Sequence, residues 1–412
     1  MIQTERLEMY TINYNLNIIK KIVFLCVMGV VIGSCVGFIE AIFCKGLDLI
    51  FAFRKGKELL LLPLIPIVGL IIAFVFIHWG GKSSEGIGLV FKVKQGKEKR
   101  IPIRLIPIMI MSTWLSHLAG CSVGREGVAV QIGADVSHFF GRYLKFQDSD
   151  KVYVVTGIAA GFAGLFGTPI ASVFFALEVL VAGALQYMSL CPALIAAFTS
   201  CVVAEHFGVS HEQFQIVANW NLSIVFIAKI ACMGVVFGLV GQLFTFVMGE
   251  MRFLSRVYLR NPYKRIFFMG IGLAVCFFVF GQGRYSGLGS NLISYAMNGK
   301  TIYAWDWLLK ILFTAACLSA GFQGGEVMPL FSIGACLGCV LASLLGLPIA
   351  LGAALGYVAV FAAGTNTFLA PIAVGMELFG SQYFYLFFIV CSIAYLFNQN
   401  QSIYAFQESV QK

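Results

Sequence analysis

The chain has 412 residues, 59% of them apolar and 11% charged, against roughly 45–50% and 25% in an average soluble domain, so a water-soluble fold is excluded. Its net charge of +9 is gathered into short connections, which fits the positive-inside bias of membrane proteins and argues against a nucleic-acid partner. Helix-length apolar runs without ten-residue alternation exclude a transmembrane barrel and predict an all-α membrane protein.

In chain order, the first apolar run spans Ile22 to Ile42 and the second Leu60 to Ile77, each close to the roughly 20 helical residues that cross a bilayer. The first follows a polar stretch and leads into the second with no small-residue cleavage site, so no leader is expected and the N-terminus is placed in the cytoplasm. A glycine-flanked turn, GGKSSEGIG (Gly80 to Gly88), precedes a basic connection carrying Lys92, Lys94, Lys97, Lys99, Arg100 and Arg104. This connection is expected to be cytoplasmic. A second glycine turn, GCSVGREG (Gly120 to Gly127), opens a further apolar helix and contains Glu126. An acid inside a membrane is costly unless paired or protonated, and is therefore a functional candidate. At a helix start Glu126 can occupy the seat that an anion would take, and leave it on protonation, which would couple protons to anion movement. The alternative is an acid that stabilises the helix dipole beside Arg125.

The segment AGLFGTPIASVFFALEVL follows at Ala163 to Leu180, then a second basic connection with Arg252, Arg256, Arg260, Lys264 and Arg265, also expected in the cytoplasm, and the turns GLGSN (Gly287 to Asn291) and SAGFQGGE (Ser319 to Glu326). Two motifs recur here. GREGVAVQIGA (124–134) returns as GEVMPLFSIGA (325–335), and 163–180 returns as AAGTNTFLAPIAVGMELF (362–379), at offsets of 201 and 199 residues. The order and spacing of two motifs recurring together indicate duplication, a plan common in transporters, whose substrate site lies between the repeats. The expected organisation is a first membrane repeat over 22–210, a second over 220–400, a short tail over 401–412, and no separate soluble domain.

Broken backbone survives in a bilayer only where it is buried or lines a cavity, and converging helix N-termini attract anions. The four glycine turns therefore predict an anion site, unless they merely permit close helix packing. Glu326 is either a second acid in the pathway or a helix-start acid, whereas Glu178 and Glu377, at equivalent places in the second motif pair, are expected to play helix-end structural roles. The twelve cysteines have no paired or metal-ligand spacing and are taken as small buried residues, among them Cys26, Cys35, Cys201, Cys232, Cys276, Cys336 and Cys339. The histidines, including His117, His138, His206 and His211, lie apart, the first two expected as packed or interfacial polar residues. With no nucleophile constellation either, neither an enzyme nor a bound metal or cofactor is expected.

These residues resemble the CLC family of anion channels and anion/proton antiporters. GIGLV (Gly86 to Val90) is similar to the family's GSGIP, GREGV (Gly124 to Val128) to its G(K/R)EGP, GEVMP (Gly325 to Pro329) to its GxFxP, and Tyr404 to its late tyrosine. The resemblance implies a bundle of tilted and broken helices in two inverted repeats, a homodimer in lipid with one pathway per subunit, and an integral protein of a bacterial plasma membrane with both termini cytoplasmic. It makes Glu126 the gating, proton-coupling glutamate, with Glu326 assisting. It makes the anion path the backbone around Ile87 and Gly88, around Gly124, Arg125 and Gly127, and around Val327 and Met328, together with the Tyr404 hydroxyl. Ile87 stands where the chloride-binding serine would be, Glu326 adds an acid in the second motif, and Val179 follows Glu178 where an internal proton-transfer glutamate would stand. All three departures resemble the fluoride-exporting branch, although Ile87 and Met328 replace its more usual methionine and threonine. The resemblance thus implies a fluoride/proton antiporter, with a chloride transporter or channel as the same-fold alternative.

Overall fold

A computed structural model describes residues 2–80, 87–98, 101–143, 149–211, 214, 216 and 223–410; side chains of 2–18 and 149–150 lie outside it. The turn residues 81–86 and the basic residues Lys99 and Arg100 also lie outside the described residues.

The chain begins with α1 (Ile2–Arg54), which continues well past Ile42 because no proline interrupts the chain before Gly56. The second apolar run is not one uniform helix. Pro63 and Pro66 fall in its first turns, giving α2 (Glu58–Leu61), a 3-10 turn, α3 (Ile65–Val75) and a π-helical end at Phe76–Gly80. Then come α4 (Ile87–Lys94), α5 (Leu105–Ala119), α6 (Glu126–Gly141), α7 (Ser149–Phe166), α8 (Pro169–Glu178), the two-residue strand β1 (Val181–Ala182) and α9 (Leu190–His206). After α9 come α10 (Ile224–Tyr258), α11 (Pro262–Val279), α12 (Ser290–Met297), α13 (Asp306–Ala320), α14 (Val327–Leu345), α15 (Ile349–Thr365), α16 (Leu369–Phe379), α17 (Phe384–Phe397) and the two-residue strand β2 (Glu408–Ser409). Among the described residues six segments are long and apolar enough to cross a membrane. At ~1.5 Å per residue, helices of 8–11 residues such as α4, α8 and α16 reach only about half of a ~30 Å hydrocarbon core, so they are the broken helices expected between complete spans.

The repeats meet on a local two-fold. Gly124 and Gly325, equivalent by the first motif, pair as an isolated antiparallel bridge, with N–H···O distances of 2.6 and 2.8 Å in the two directions. An antiparallel bridge between equivalent residues places a two-fold axis between them. The second motif obeys the same symmetry: Glu178, ending α8, accepts bonds from the first N–H groups of α16 (Phe368, Leu369 and Ala370, 2.9–3.2 Å), while Glu377, near the end of α16, accepts from those of α8 (Ile170 at 3.1 Å and Ala171 at 2.8 Å). Helices α8 and α16 thus run antiparallel, each capped by an acid of the other, and the helix-end role expected of both glutamates takes the form of a cross-repeat clasp. Each carboxylate satisfies N–H groups that no helix can satisfy within itself.

Glycines outside the four turns serve packing. A Cβ at Gly133 would collide with the Gly157 carbonyl, and one at Gly334 with that of Gly356. These contacts bring α6 onto α7 and α14 onto α15 at backbone distance, the small-residue packing by which helices associate in lipid. The cysteines are mixed. Cys201, Cys336 and Cys339 are buried as expected, Cys26, Cys35 and Cys276 are half-buried, and Cys232 is exposed on α10, where apolar character suits lipid as well as a core.

Candidate functional site

Helices α5 and α13 both stop at a glycine with positive φ, Gly120 (φ 94) and Gly321 (φ 117). After a few non-helical residues the chains meet at the Gly124–Gly325 bridge, and α6 and α14 start from it. Two helix N-termini, with their unpaired N–H groups and positive dipole ends, therefore converge on one spot inside the protein.

The Glu126 carboxylate fills that spot. It is 1% exposed, and its Oε2 accepts from the Arg125 N–H at 3.0 Å and from the Met328 N–H at 3.2 Å. Met328 is the second residue of α14, so an acid of the first repeat sits on the helix start of the second. Its Oε1 is buried without a hydrogen-bond partner. The carboxylate lies against bare backbone: a Cβ at Gly124 would overlap Oε2, and one at Gly325 would stand 3.0 Å from it. No ion pair joins Arg125 to Glu126 among those described, and Arg125 Nε is itself buried without a hydrogen-bond partner. Oε2 thus meets the start of α6 through Arg125 and the start of α14 through Met328.

Beside this spot lies a cavity of about 790 Å³. Five of the expected residues line it: Ile87 and Gly88 at the start of α4, Gly127, Glu326 and Tyr404. Gly124, Arg125, Val327 and Met328 do not; with Glu126 they form the bridge region behind it. Glu326 occupies the N-cap position of α14 but makes no side-chain cap bond. Its Oε1 lies 3.8 Å from Arg252 Nη2 at the cavity wall.

Tyr404 is 7% exposed, stacked on Phe91 at 5.6 Å and edge-on to Phe175 at 6.4 Å. The tail holds it by contacts to both repeats: Ile403 N–H bonds to the Gly364 carbonyl at 2.9 Å, the Gln407 amide donates to the carbonyls of Val179 and Thr365 at 3.0 and 3.1 Å, and β2 pairs with β1 in parallel. Lys92 and Lys94 reach the same tail, over the Phe406 ring at 4.7 Å and to Glu408 at 3.3 Å.

Sequence reasoning missed the cations of the cavity. Arg252 and Arg256 near the end of α10 and Arg265 on α11 line it. Their clustering was legible as membrane topology only, although among the described residues three guanidiniums against one carboxylate leave the cavity positive and able to concentrate anions. The GLGSN turn, in contrast, does not line the cavity. The fully buried Lys310 pins it by donating to the Gly287 and Tyr285 carbonyls at 2.8 and 3.3 Å, and Gly287 N–H bonds to the Gly120 and Cys121 carbonyls, so this glycine cluster braces the bridge region from outside. His117 and His138 are both buried polar residues of the packed interior.

The crystal structure of a CLC-type fluoride/proton antiporter superposes with a TM-score of 0.92 at 44% identity, covering 94% of this chain and 98% of its own. A slow cyanobacterial Cl−/H+ antiporter shares the fold at 17% identity and a TM-score of 0.79, covering 91% of this chain and 94% of its own. The chloride/fluoride channel protein of Pseudomonas syringae pv. tomato is 36% identical over 376 residues, which is 89% of this chain and 82% of that protein. The family model described as voltage gated chloride channel matches residues 68–399. An α-helical membrane protein with this two-fold plan, matched over most of its length, the chain belongs to the CLC family.

Proposed function

We propose that this protein is a fluoride/proton antiporter that exports F− along one pathway in each subunit of a homodimer, in a bacterial plasma membrane and with both termini cytoplasmic. One observation carries the reading: the Glu126 carboxylate of the first repeat rests on the Met328 N–H at the start of α14. An ionised carboxylate and a small anion compete for the same N–H groups. When Glu126 takes up a proton it loses much of its hold there, an anion from the cavity replaces it, and the released side chain carries the proton. The two halves, over 22–210 and 220–400, each contribute one of the helix starts that meet at this seat.

On this reading the cavity is the cytoplasmic mouth. Arg252, Arg256 and Arg265 gather anions there, Glu326 assists passage beside Arg252, and Tyr404 with the backbone at Ile87 and Gly88 lines the way in. The backbone of Gly124, Arg125, Gly127, Val327 and Met328 surrounds the seat itself. Fluoride suits it chemically, because a small, strongly hydrated ion needs close N–H and O–H donors to replace its water. Fluoride also enters acid-exposed cells as neutral HF, so proton-driven removal of the ion is useful. Ile87 has no side-chain donor to offer chloride, and the 44% identical fluoride/proton antiporter supports the choice of ion. The reaction is transport, not catalysis.

Parallel F− and Cl− efflux from proteoliposomes, with proton uptake recorded, tests this. F− efflux that drives protons inward, exceeding Cl− efflux, is expected; passive flux of both ions without proton movement would favour the second reading, a chloride or fluoride channel, which the name of the Pseudomonas relative supports.

A further inference from the structure

Outside the pathway the fold closes into one cluster three ligating side chains that the sequence spaces over residues 201–211. Helix α9 carries Cys201 and Glu205 one turn apart on the same face. The chain then turns at Gly208 and brings His211 back to them. Cys201 Sγ lies 3.5 Å from Glu205 Oε1, His211 Nδ1 lies 3.4 Å from the same oxygen, and the three ligand atoms all fall within 4.8 Å of one another. In tetrahedral zinc sites, with Zn–S near 2.3 Å and Zn–N or Zn–O near 2.0–2.1 Å, neighbouring ligand atoms stand about 3.4–3.6 Å apart. Two edges of such a tetrahedron therefore already have the right length.

A second observation is independent of the first. His211 Nε2 lies 3.4 Å from the Gly164 carbonyl at the end of α7. A proton on Nε2 is donated there, which leaves the Nδ1 lone pair directed at Cys201 and Glu205. Metal-bound histidines are commonly oriented in this way. The ring also lies against Gly167, where a Cβ would strike it, so its position is fixed from below as well.

We propose that Cys201, Glu205 and His211 bind one divalent cation of the zinc class. A thiolate, an imidazole and a single carboxylate favour such a borderline ion over magnesium or calcium, which prefer oxygen ligands. Glu205 is exposed while Cys201 is buried, which leaves the solvent side for a water as fourth ligand. The site lies at the end of α9 remote from the C-terminal tail, and the bound ion ties α9 to the loop that follows it, whose His211 ring rests on the Gly164 carbonyl of α7. It does not depend on which anion the pathway carries.

Cobalt(II) titrated into the chelator-stripped, detergent-purified full chain tests it. Tetrahedral cobalt d–d bands with a thiolate-to-cobalt charge-transfer band are expected, displaced by one equivalent of Zn2+ per subunit. Cys201→Ser should abolish the charge-transfer band, and His211→Gln should weaken zinc binding about 100-fold. Wild-type protein without the band overturns the proposal, as does Cys201→Ser protein that retains it.

Discussion

Two motif pairs, both duplicated, treat their charges in opposite ways. In the α8/α16 pair Glu178 and Glu377 lie 199 residues apart, the offset of their motif, and each caps the other's helix. In the α6/α14 pair the offset of 201 sets Arg125 against Glu326 and Glu126 against Val327, so nothing charged is symmetric. The backbone bridge at Gly124 and Gly325 obeys the two-fold, while the side chains around it depart from it. Where both repeats keep the same residue in the same contact, that residue holds the halves together. Where the backbone keeps the symmetry and the charges abandon it, the two sides of the centre offer different groups to a proton and to an anion.

Substitutions can break this contrast. The largest effect is expected from Glu126→Gln, which removes the ionisable group from the seat; proton uptake driven by a fluoride gradient should fall at least about tenfold. Unchanged proton flux would dismiss Glu126 from the coupling role. Gly325→Ala should come next, because its Cβ would stand 2.7 Å from the Gly127 nitrogen. A loss of about 2–3 kcal/mol is expected from such overpacking, read as a lower midpoint of thermal unfolding in detergent, together with loss of transport.

Glu178→Ala or Glu377→Ala should each cost about 1–2 kcal/mol, since helix-start N–H groups are left bare, with the ratio of protons to anions unaltered. A changed ratio in either variant would erase the distinction between clasp and centre. Smallest of all, Arg252→Gln should lower fluoride flux severalfold in dilute buffer, and the deficit should shrink as salt screens the cavity over a Debye length of about 8 Å at physiological ionic strength. Ile87→Ser sharpens the assignment of substrate: a rise in the chloride-to-fluoride flux ratio is expected, and a constant ratio would move selectivity away from α4.

Much of the centre was legible in the sequence because it is written twice. Finding GREGVAVQIGA and GEVMPLFSIGA in register was enough to bring Gly124, Glu126 and Glu326 into one neighbourhood, and Glu126 stood out because a membrane acid has few ordinary reasons to exist. The crossing of the clasp was not legible. Equivalent glutamates announce symmetry, but whether each caps its own repeat or the other depends on how two short helices pack. Nor was the cationic wall: α10 is 35 residues long, and no local pattern says that its far end returns over Ile87 and Tyr404. The GLGSN turn shows the converse error. It shares its composition with the site's glycine turns, yet it serves as bracing held by a buried lysine.

The anchorage of the tail has a mechanical consequence. Residues 403–409 are tied to the end of α8 in one half and to the end of α15 in the other, so they act as a strap across the seam. If the halves shift against each other during a cycle, the strap must slacken or drag, and the tyrosine it carries moves with it. A label or crosslink placed on this strap would therefore report on the whole body of the transporter, although it lies at the end of the chain.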